Sequence, residues 1–252
     1  MSLQIVLMAC EGRPRMLQTT LERLEGAGRL LEVDASRRIY YGSSDAMDLL
    51  EVAGWPCFWL SRGEHILEQF QRMILEADPT KDLLFIEDDV WVAEGAIPAI
   101  AAMPFPEGVG VLSFFDYHNL FATPGIHVLE RGKPFWGSQC LKLSAAVVRQ
   151  LQTMKPARQC GWDVWMGRAC EAADLSIAMH VPNLVQHMGT EHSVFAPLDA
   201  ARPSSTSYAG APPPRIVETT DPRYCAKCND RHLPQYAMIR GCWRLLPPPC
   251  GW

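Results

Sequence analysis

The sequence predicts an α/β fold whose central sheet is mostly parallel, and two observations support this. Strand-like and helix-like segments alternate over residues 1–110, which is the pattern of parallel strands joined by crossover helices. In addition, the apolar segment Leu83–Ile86 is followed directly by Glu87, Asp88 and Asp89. Such a segment indicates a buried strand with carboxylates at its carboxyl end. Open α/β sheets bind ligands at that edge, so we expect the functional site there.

The elements of the first half follow from apolar periodicity and turn residues. Leu3–Met8 predicts the first strand, and the polar loop Glu11–Pro14 separates it from an amphipathic helix over Met16–Leu31. Further elements are predicted, in order, as a strand at Arg38–Tyr41, a short strand at Cys57–Leu60, a helix at His65–Glu76 and, after the acidic cluster, a helix at Ala93–Ala102.

The second half contains longer irregular stretches. Its predicted elements are a strand at Val109–Phe115, helices at Ser144–Gln152 and Val164–Ala173, and a strand at Ile177–Val181. A loop-rich section extends through Pro134, and the Pro-, Ala- and Ser-rich segment Pro197–Pro214 predicts an extended linker or an ordered arm. We therefore divide the chain into residues 1–110, residues 111–200, and residues 201–252 with the linker and a Cys-rich tail.

Composition limits the class of protein. The 252 residues are 48% hydrophobic and 20% charged, which is ordinary for a globular chain. The formal net charge of -5 argues against a protein dominated by contacts to nucleic-acid phosphates, although a local basic groove is compatible with it. No segment approaches the roughly 20 apolar residues that span a bilayer, and the amino terminus lacks a signal-peptide pattern. We expect no membrane span and a cytoplasmic location.

The acidic cluster and one histidine indicate a metal site. Three adjacent carboxylates repel one another, so they are costly unless a cation or a hydrogen-bonding ligand offsets their charge. We expect Asp89 to be a metal ligand. His187 follows a strand and the turn at Pro182, and an imidazole beside a carboxylate favours manganese over magnesium. Two alternatives stay open, namely a solvated acidic turn that caps the next helix, and a structural histidine.

Two segments of the first half resemble the nucleotide-sugar glycosyltransferases of the GT-A fold. Ile5–Glu11, followed by Arg13 and Arg15, looks like the uridine-binding strand and loop of the eukaryotic N-acetylglucosaminyltransferases. The acidic sequence Glu87-Asp88-Asp89 has the form that their Asp-x-Asp motif takes. Each segment alone is a weak signal.

Two further segments extend the resemblance. Trp136–Ser144 is similar to the Gly-Thr/Ser-x-x-x-x-x-Ser segment of several bacterial and collagen-modifying transferases. Pro182–Gly189 resembles the Pro-Ser-Leu-Val-Gln-His-x-Gly block that carries a metal-binding histidine. The four segments occur in family order and cover roughly residues 1–195, whereas the last 50 residues depart from the family pattern. The resemblance implies a single GT-A-like domain followed by a short C-terminal segment.

The activity that this resemblance implies is metal-dependent, inverting transfer of a sugar from a UDP-sugar to an acceptor hydroxyl. Residues 1–110 would bind the nucleotide sugar and residues 111–200 the acceptor. By analogy, Asp89 and His187 bind Mn²⁺ or Mg²⁺. The remaining implied donor contacts are Glu87 and Asp88 at the ribose or diphosphate, and Cys10, Glu11 and Arg13 in the nucleoside pocket.

The resemblance also points to a general base. Inverting members use a carboxylate at the amino end of a helix in the acceptor half, and Asp163 fits that position. Such a carboxylate takes the proton of the acceptor hydroxyl as the anomeric carbon is attacked. The alternative role for Asp163 is the N-cap of the helix Val164–Ala173. Nearby Trp136, Trp162 and Trp165 are candidates either for stacking on a sugar or base or for core packing.

The C-terminal tail contains a candidate zinc site. Its ligands are spaced Cys225-x2-Cys228-x3-His232-x9-Cys242, with Cys250 as an alternative to the histidine. A CxxC pair with a nearby His and a third Cys suits a closed tetrahedral zinc site, and a tail this short would depend on Zn²⁺ to fold. Disulfides are the competing interpretation, which a cytoplasmic location disfavours. Basic residues surround the cluster, namely Lys227, Arg231, Arg240 and Arg244.

Two other functions compete with glycosyl transfer. Metal-dependent nucleotidyl transfer or phosphoester hydrolysis also uses carboxylates at a strand end, although such sites usually hold two metals. The second competing hypothesis is a non-enzymatic, zinc-stabilised binding module whose sheet only supports the tail. For a transferase, the acceptor stays open between a glycan, a lipid-linked saccharide, a protein and a modified DNA base such as a hydroxymethylpyrimidine. The basic tail, which suits a polyanion, is the reason to include DNA.

Overall fold

The computed structural model describes a chain with helices on both faces of a central sheet. The described residues are 3–9, 14–41, 55–59, 66–116, 120–132, 135, 137–155, 161–188, 208–213, 224–225, 230–231, 236–239 and 242–245. The helices are α1 (Pro14–Glu25), α2 (Ile66–Glu76), α3 (Ala96–Ala102), α4 (Ala145–Thr153) and α5 (Trp162–Ala172), and Leu30–Glu32 forms a 3-10 turn.

The strands fall into a main sheet, a short ribbon and two C-terminal hairpins. The main sheet contains β1 (Leu3–Ala9), β2 (Ala35–Tyr41), β3 (Cys57–Trp59), β4 (Asp82–Glu87), β6 (Val109–Ser113), β7 (Gly125–Val128), β8 (Cys140–Leu143) and β9 (Ser176–Val181). The ribbon contains β5 (Val90–Val92) and β10 (Val185–His187). The hairpins contain β11 (Tyr224–Cys225) with β12 (Asp230–Arg231), and β13 (Tyr236–Ile239) with β14 (Cys242–Leu245).

The main sheet is parallel in one half and mixed in the other. Its strand order is β3-β2-β1-β4-β8-β6-β9-β7. The pairs from β3 to β4 are all parallel, as the sequence predicts. Strand β8 is antiparallel to both β4 and β6, and β7 is antiparallel to β9. Because β4, β6 and β9 still run in one direction, their carboxyl ends and that of β1 lie along one side of the sheet, which we call the carboxyl edge.

Apolar side chains form a core layer on each face of the sheet. Strand β1 is buried over its whole length, which explains why its sequence shows no polar alternation. One layer joins the sheet to α1 and α3 and includes Ile5, Leu7, Leu17, Leu24, Leu84, Ile86, Ile97 and Ile100. The other joins it to α2, α4 and α5 and includes Val6, Met8, Phe70, Met73, Phe85, Val147, Trp165 and Met166.

Several predicted boundaries are wrong for local reasons. Helix α1 ends at Glu25 rather than Leu31, because Gly26 and Gly28 disfavour a helix and Arg29 has a left-handed backbone with φ +59°. Helix α3 begins at Ala96 rather than Ala93, because the Ala93 amide donates to the carbonyl of Leu184 and the N-cap residue Gly95 is left-handed with φ +66°. The strands β7 and β8 lie in sequence that the periodicity left unassigned.

Part of the predicted linker contacts the core. Residues 208–213, which we call the return segment, lie beside the β5–β10 ribbon. The Ala209 amide donates to the carbonyl of Asn183 at 2.9 Å, and the Trp91 indole donates to the carbonyl of Ala211 at 3.1 Å. The guanidinium of Arg23 lies over the Trp91 ring, 4.4 Å from its centroid. The return segment therefore contacts the ribbon on one side, and α1 contacts it on another.

Within the part of the chain that the structure describes, no helix combines the length and the apolar character needed to cross a bilayer.

Candidate functional site

The acidic cluster lies at the carboxyl edge, where β4 ends. Glu87 is the last residue of β4, and Asp88 and Asp89 form the turn that leads into β5. Asp88 has no solvent exposure and Asp89 is 3% exposed. The hydroxyl of Thr20 on α1 donates to the carbonyl of Asp88 at 2.6 Å. The alternative of a solvated capping turn is therefore wrong.

Asp89 is paired with His187, and both side chains are buried. The Nε2 atom of His187 lies 3.0 Å from Oδ2 of Asp89, with side-chain exposures of 6% and 4%. The pair forms because β5 and β10 are antiparallel with Val90 opposite His187. The Met188 amide also donates to the carbonyl of Asp89 at 2.8 Å. Two residues 98 positions apart thus meet through the ribbon.

The donor set of this pair fits a hard divalent cation. Ligand atoms about 2.1 Å from an octahedral ion lie about 3 Å apart along an edge of the octahedron, which is the Asp89–His187 spacing. No group of three or more His, Cys, Asp or Glu side chains suited to a metal occurs among the described residues. Cations such as Mg²⁺ are commonly held by one or two protein ligands together with substrate phosphates and water. The pair could therefore hold a cation that a diphosphate helps to bind.

The loop before β8 is attached to the acidic cluster. The hydroxyl of Ser138 donates to Oε1 of Glu87 at 3.2 Å, and the Glu87 amide donates to the carbonyl of Gln139 at 2.9 Å. Gly137 has φ +143°, and a Cβ atom there would lie 2.6 Å from the carbonyl oxygen of Phe115. This position therefore requires glycine. Trp136 lies outside the described residues.

The rest of the Gly137–Ser144 segment is structural. Ser144 caps α4 by accepting a hydrogen bond from the Val147 amide. The ammonium of Lys142 donates to the carbonyls at the end of α3, those of Ile100, Ala101 and Met103. Burial lowers the pKa of Lys142. Burial, together with the nearby charge of Glu87, raises the pKa of the Cys140 thiol, so this thiol is a protonated core group.

Asp163 lies in the first turn of α5 and is partly exposed. The N-cap residue is Gly161, so the prediction that Asp163 caps this helix is wrong. Trp162 stacks on Phe70 with ring centroids 4.3 Å apart, and it also contacts Phe85, two residues before Glu87. Trp162 and the buried Trp165 are core residues. The stack holds the amino end of α5 near the end of β4.

Two buried polar residues near the end of β6 were not predicted. Asp116 and Asn183 have no solvent exposure. The Asp116 amide donates to Oδ1 of Asn183 at 3.0 Å, and Oδ2 of Asp116 accepts from the Phe121 amide at 3.1 Å. Asp116 follows the apolar run Val109–Phe115 just as Glu87 follows its own strand. The rule that located the acidic cluster would therefore also have located Asp116.

The remaining predicted site residues fall where side chains are not described. Cys10, Glu11, Arg13, Cys228, His232 and Cys250 lie outside the described residues. Cys225 and Cys242 are described by their backbone alone. Cys225 pairs with Asp230 in the first hairpin, and Cys242 pairs with Ile239 in the second. The nucleoside pocket and the zinc site therefore stay predictions.

Comparisons with known proteins give only weak structural likenesses. No family model and no curated protein matches the sequence. A nucleotidyl transferase from Methanothermobacter thermautotroptrophicus shares 12% identity, with a TM-score of 0.49 over 71% of this chain and 87% of that one. TarS from S. aureus shares 10% identity, with a TM-score of 0.49 over 71% of this chain and 35% of that one.

A third similar structure is a mannosyltransferase from Pyrobaculum calidifontis in complex with GDP-Man and Mn²⁺. It shares 9% identity, with a TM-score of 0.45 over 71% of this chain and 57% of that one. These structures include nucleotidyl- and glycosyltransferases. At such identities and TM-scores, the likeness assigns neither reaction to this chain.

Proposed function

We propose that this protein is a metal-dependent, inverting glycosyltransferase that moves a sugar from a UDP-sugar to an acceptor hydroxyl. The observation that carries the proposal is the buried Asp89–His187 pair at the carboxyl edge, 3.0 Å apart. A carboxylate and an imidazole suit Mn²⁺, with Mg²⁺ as the second option. A bound cation would offset the negative charge that develops on a leaving diphosphate.

The position of β1 supports a neighbouring nucleoside pocket. Strand β1 pairs directly with β4, and adjacent strands lie roughly 4.8 Å apart. Cys10, Glu11 and Arg13 follow β1 in the sequence, so they are the proposed nucleoside contacts. Glu87 and Asp88 are the proposed contacts to the ribose or diphosphate. A nucleotide bound across these two strand ends would reach the Asp89–His187 pair, which we call the metal pair, with its phosphates.

Asp163 is the proposed general base. Its backbone lies in the first turn of α5, where the helix dipole stabilises a negative charge, and the Trp162 stack fixes that turn near β4. There it would accept the proton of the acceptor hydroxyl during attack on the anomeric carbon. The role requires one accessible carboxylate oxygen, and Asp163 is partly exposed although its Oδ1 atom is buried.

The tail is proposed to bind one Zn²⁺ through Cys225, Cys228, Cys242 and His232, or Cys250 in place of His232. The two hairpins support this proposal because Cys225 ends β11 and Cys242 begins β14. A CxxC sequence at a hairpin is a common half of a zinc site. The basic residues around it favour an anionic acceptor, either a charged glycan or DNA with hydroxymethylated pyrimidines.

The proposal is tested by incubating the protein with UDP-, GDP- and CDP-sugars and measuring Mn²⁺-dependent donor hydrolysis. We expect release of a nucleoside diphosphate from one donor, and no release by the Asp89→Ala variant. Glu107→Ala, which removes an exposed carboxylate before β6 at the opposite edge, is the matched control and should keep full activity. Release of pyrophosphate or inorganic phosphate instead would identify nucleotidyl transfer or phosphoester hydrolysis.

A further inference from the structure

Asp116 has a carboxylate oxygen without a hydrogen-bond donor. Its Oδ1 atom is buried and has no partner among the described residues. The other oxygen accepts from the Phe121 amide. A buried carboxylate oxygen without a protein donor is costly, and each such atom in a native protein needs an explanation, of which contact with a bound ligand is one.

The surrounding hydrogen bonds hold Asp116 in one orientation. The Asp116 amide donates a hydrogen bond to Asn183, and Oδ2 accepts one from the Phe121 amide. The next turn is also fixed, because the Leu184 amide donates to the carbonyl of Phe114. Rotation of the carboxylate to find another donor would break the Phe121 hydrogen bond. The site is therefore organised to receive a donor at Oδ1.

Asp116 lies on a different strand end from the Asp89–His187 pair but close to it, because the ring centroid of the neighbouring Phe115 lies 6.5 Å from that of His187. Strand β6 lies two positions from β4 in the sheet, which corresponds to roughly 10 Å along the carboxyl edge. The proposed order along that edge is the nucleoside at β1 and the diphosphate at β4. The next part of a nucleotide sugar, in the direction of β6, is the sugar ring.

From these observations we infer that Asp116 accepts a hydrogen bond from a hydroxyl of the transferred sugar. The inference rests on the proposed function and adds a residue that determines donor specificity. A hydroxyl is the expected partner because a carboxylate oxygen accepts hydrogen bonds and the hydroxyls of a sugar ring are donors. Because Oδ1 has no solvent contact, the sugar must displace neighbouring groups to reach it.

The Asp116→Asn variant separates this role from a structural one. The Phe121 amide needs an oxygen acceptor, so it orients the asparagine with its NH2 group at the former Oδ1 position. An acceptor is thereby replaced by a donor while the Phe121 hydrogen bond is kept. We expect the melting temperature of the variant to equal or exceed that of the wild type. Asp174→Asn, at a highly exposed carboxylate before β9, is the control.

The decisive measurement is calorimetric titration with UDP and with the UDP-sugar, both in Mn²⁺. We expect Asp116→Asn to leave the Kd for UDP within about twofold and to raise the Kd for the UDP-sugar about fivefold to tenfold, because the sugar hydroxyl then exchanges a hydrogen bond to a charged acceptor for one from a neutral donor. Unchanged UDP-sugar affinity would overturn the inference. Loss of affinity for both ligands with a lower melting temperature would assign Asp116 a structural role and would also overturn it.

The same titrations show which proposal fails. If Asp89→Ala loses Mn²⁺-dependent binding of UDP while Asp116→Asn behaves as wild type, the proposed function stands and the inference about Asp116 is wrong. If the wild type binds no UDP and none of the nucleotide sugars, the proposed function is wrong and the inference is wrong with it.

Discussion

Two places on the carboxyl edge, the end of β4 and the end of β6, show the same sequence pattern with different partners. At β4 an apolar strand ends in carboxylates, and Asp89 is paired with His187 within the protein. At β6 an apolar strand is followed by Asp116, whose Oδ1 atom has no partner among the described residues. Oδ2 of the first carboxylate is paired with an imidazole 98 residues away, whereas Oδ2 of the second accepts from the Phe121 amide only five residues along the chain. The pattern therefore locates carboxylates at an edge, but their partners are determined by the tertiary fold.

The largest expected effect comes from breaking the β4 end. Asp89→Ala should abolish turnover and Mn²⁺-dependent nucleotide binding, because His187 alone is a weak site for a hard cation. The fold should persist, since the variant removes a buried charge from an acidic cluster. Turnover assays and thermal melting check both statements. Full activity in this variant would exclude Asp89 from the metal site.

A smaller effect is expected at Asp163, in the first turn of α5. Asp163→Asn should lower kcat by about 10² to 10⁴ with little change in donor affinity, as when only a general base is removed. Steady-state kinetics over a range of donor concentrations, with Asp174→Asn as the control, measure the two separately. A collapse of donor affinity would place Asp163 in the donor site instead.

The end of β6 can be destabilised by a substitution that leaves every carboxylate in place. Gly137→Ala should cost on the order of 3 kcal/mol of unfolding free energy, because φ +143° suits glycine alone and the new Cβ would lie 2.6 Å from the Phe115 carbonyl. Gly108→Ala, at φ +71° with open space around it, should cost about 1 kcal/mol. Urea denaturation compares the two. Equal losses would show that the close approach to Phe115 is relieved by a shift of the backbone.

The smallest effect on the carboxyl edge should come from the tail. We expect about one zinc per chain by elemental analysis. Mild chelation should remove the Mn²⁺ first, whereas stripping the thiolate-bound zinc should unfold the tail. Donor hydrolysis should then change little, while transfer to the acceptor falls. Absence of zinc, with disulfides found by mass spectrometry, would contradict the tail assignment.

Local sequence was informative where an element is long and buried on both faces. Strands β1 and β4 were predicted from apolar runs, and the acidic residues at the end of β4 were located with them. Strand β8 was not predicted because four residues carry little periodicity, and its place between β4 and β6 depends on pairing such as Ile86 with Cys140. Its insertion makes half of the sheet mixed.

The candidate site was predictable to the same extent. Asp89 and His187 were identified individually by residue type and turn context, and the ribbon brings them together. Thr20 was not identified, because a threonine within an amphipathic helix resembles any other polar residue there. Its hydrogen bond to the backbone of Asp88 spans 68 positions, so no pattern in the neighbouring sequence indicates it.

The return segment determines where a gene fusion could exchange the C-terminal region of this chain without disturbing the ribbon. Residues 208–213 contact the ribbon through the hydrogen bonds of Ala209 and Ala211. They therefore help to position the metal pair, although their sequence resembles a linker. A crossover after Pro213 would exchange the whole Cys-rich region and leave those supports in place. A crossover before Tyr208 would remove them. We therefore expect gene fusion and domain shuffling to be tolerated at the first junction. Under the proposed function, acceptor preference would diverge there while the donor site is inherited unchanged.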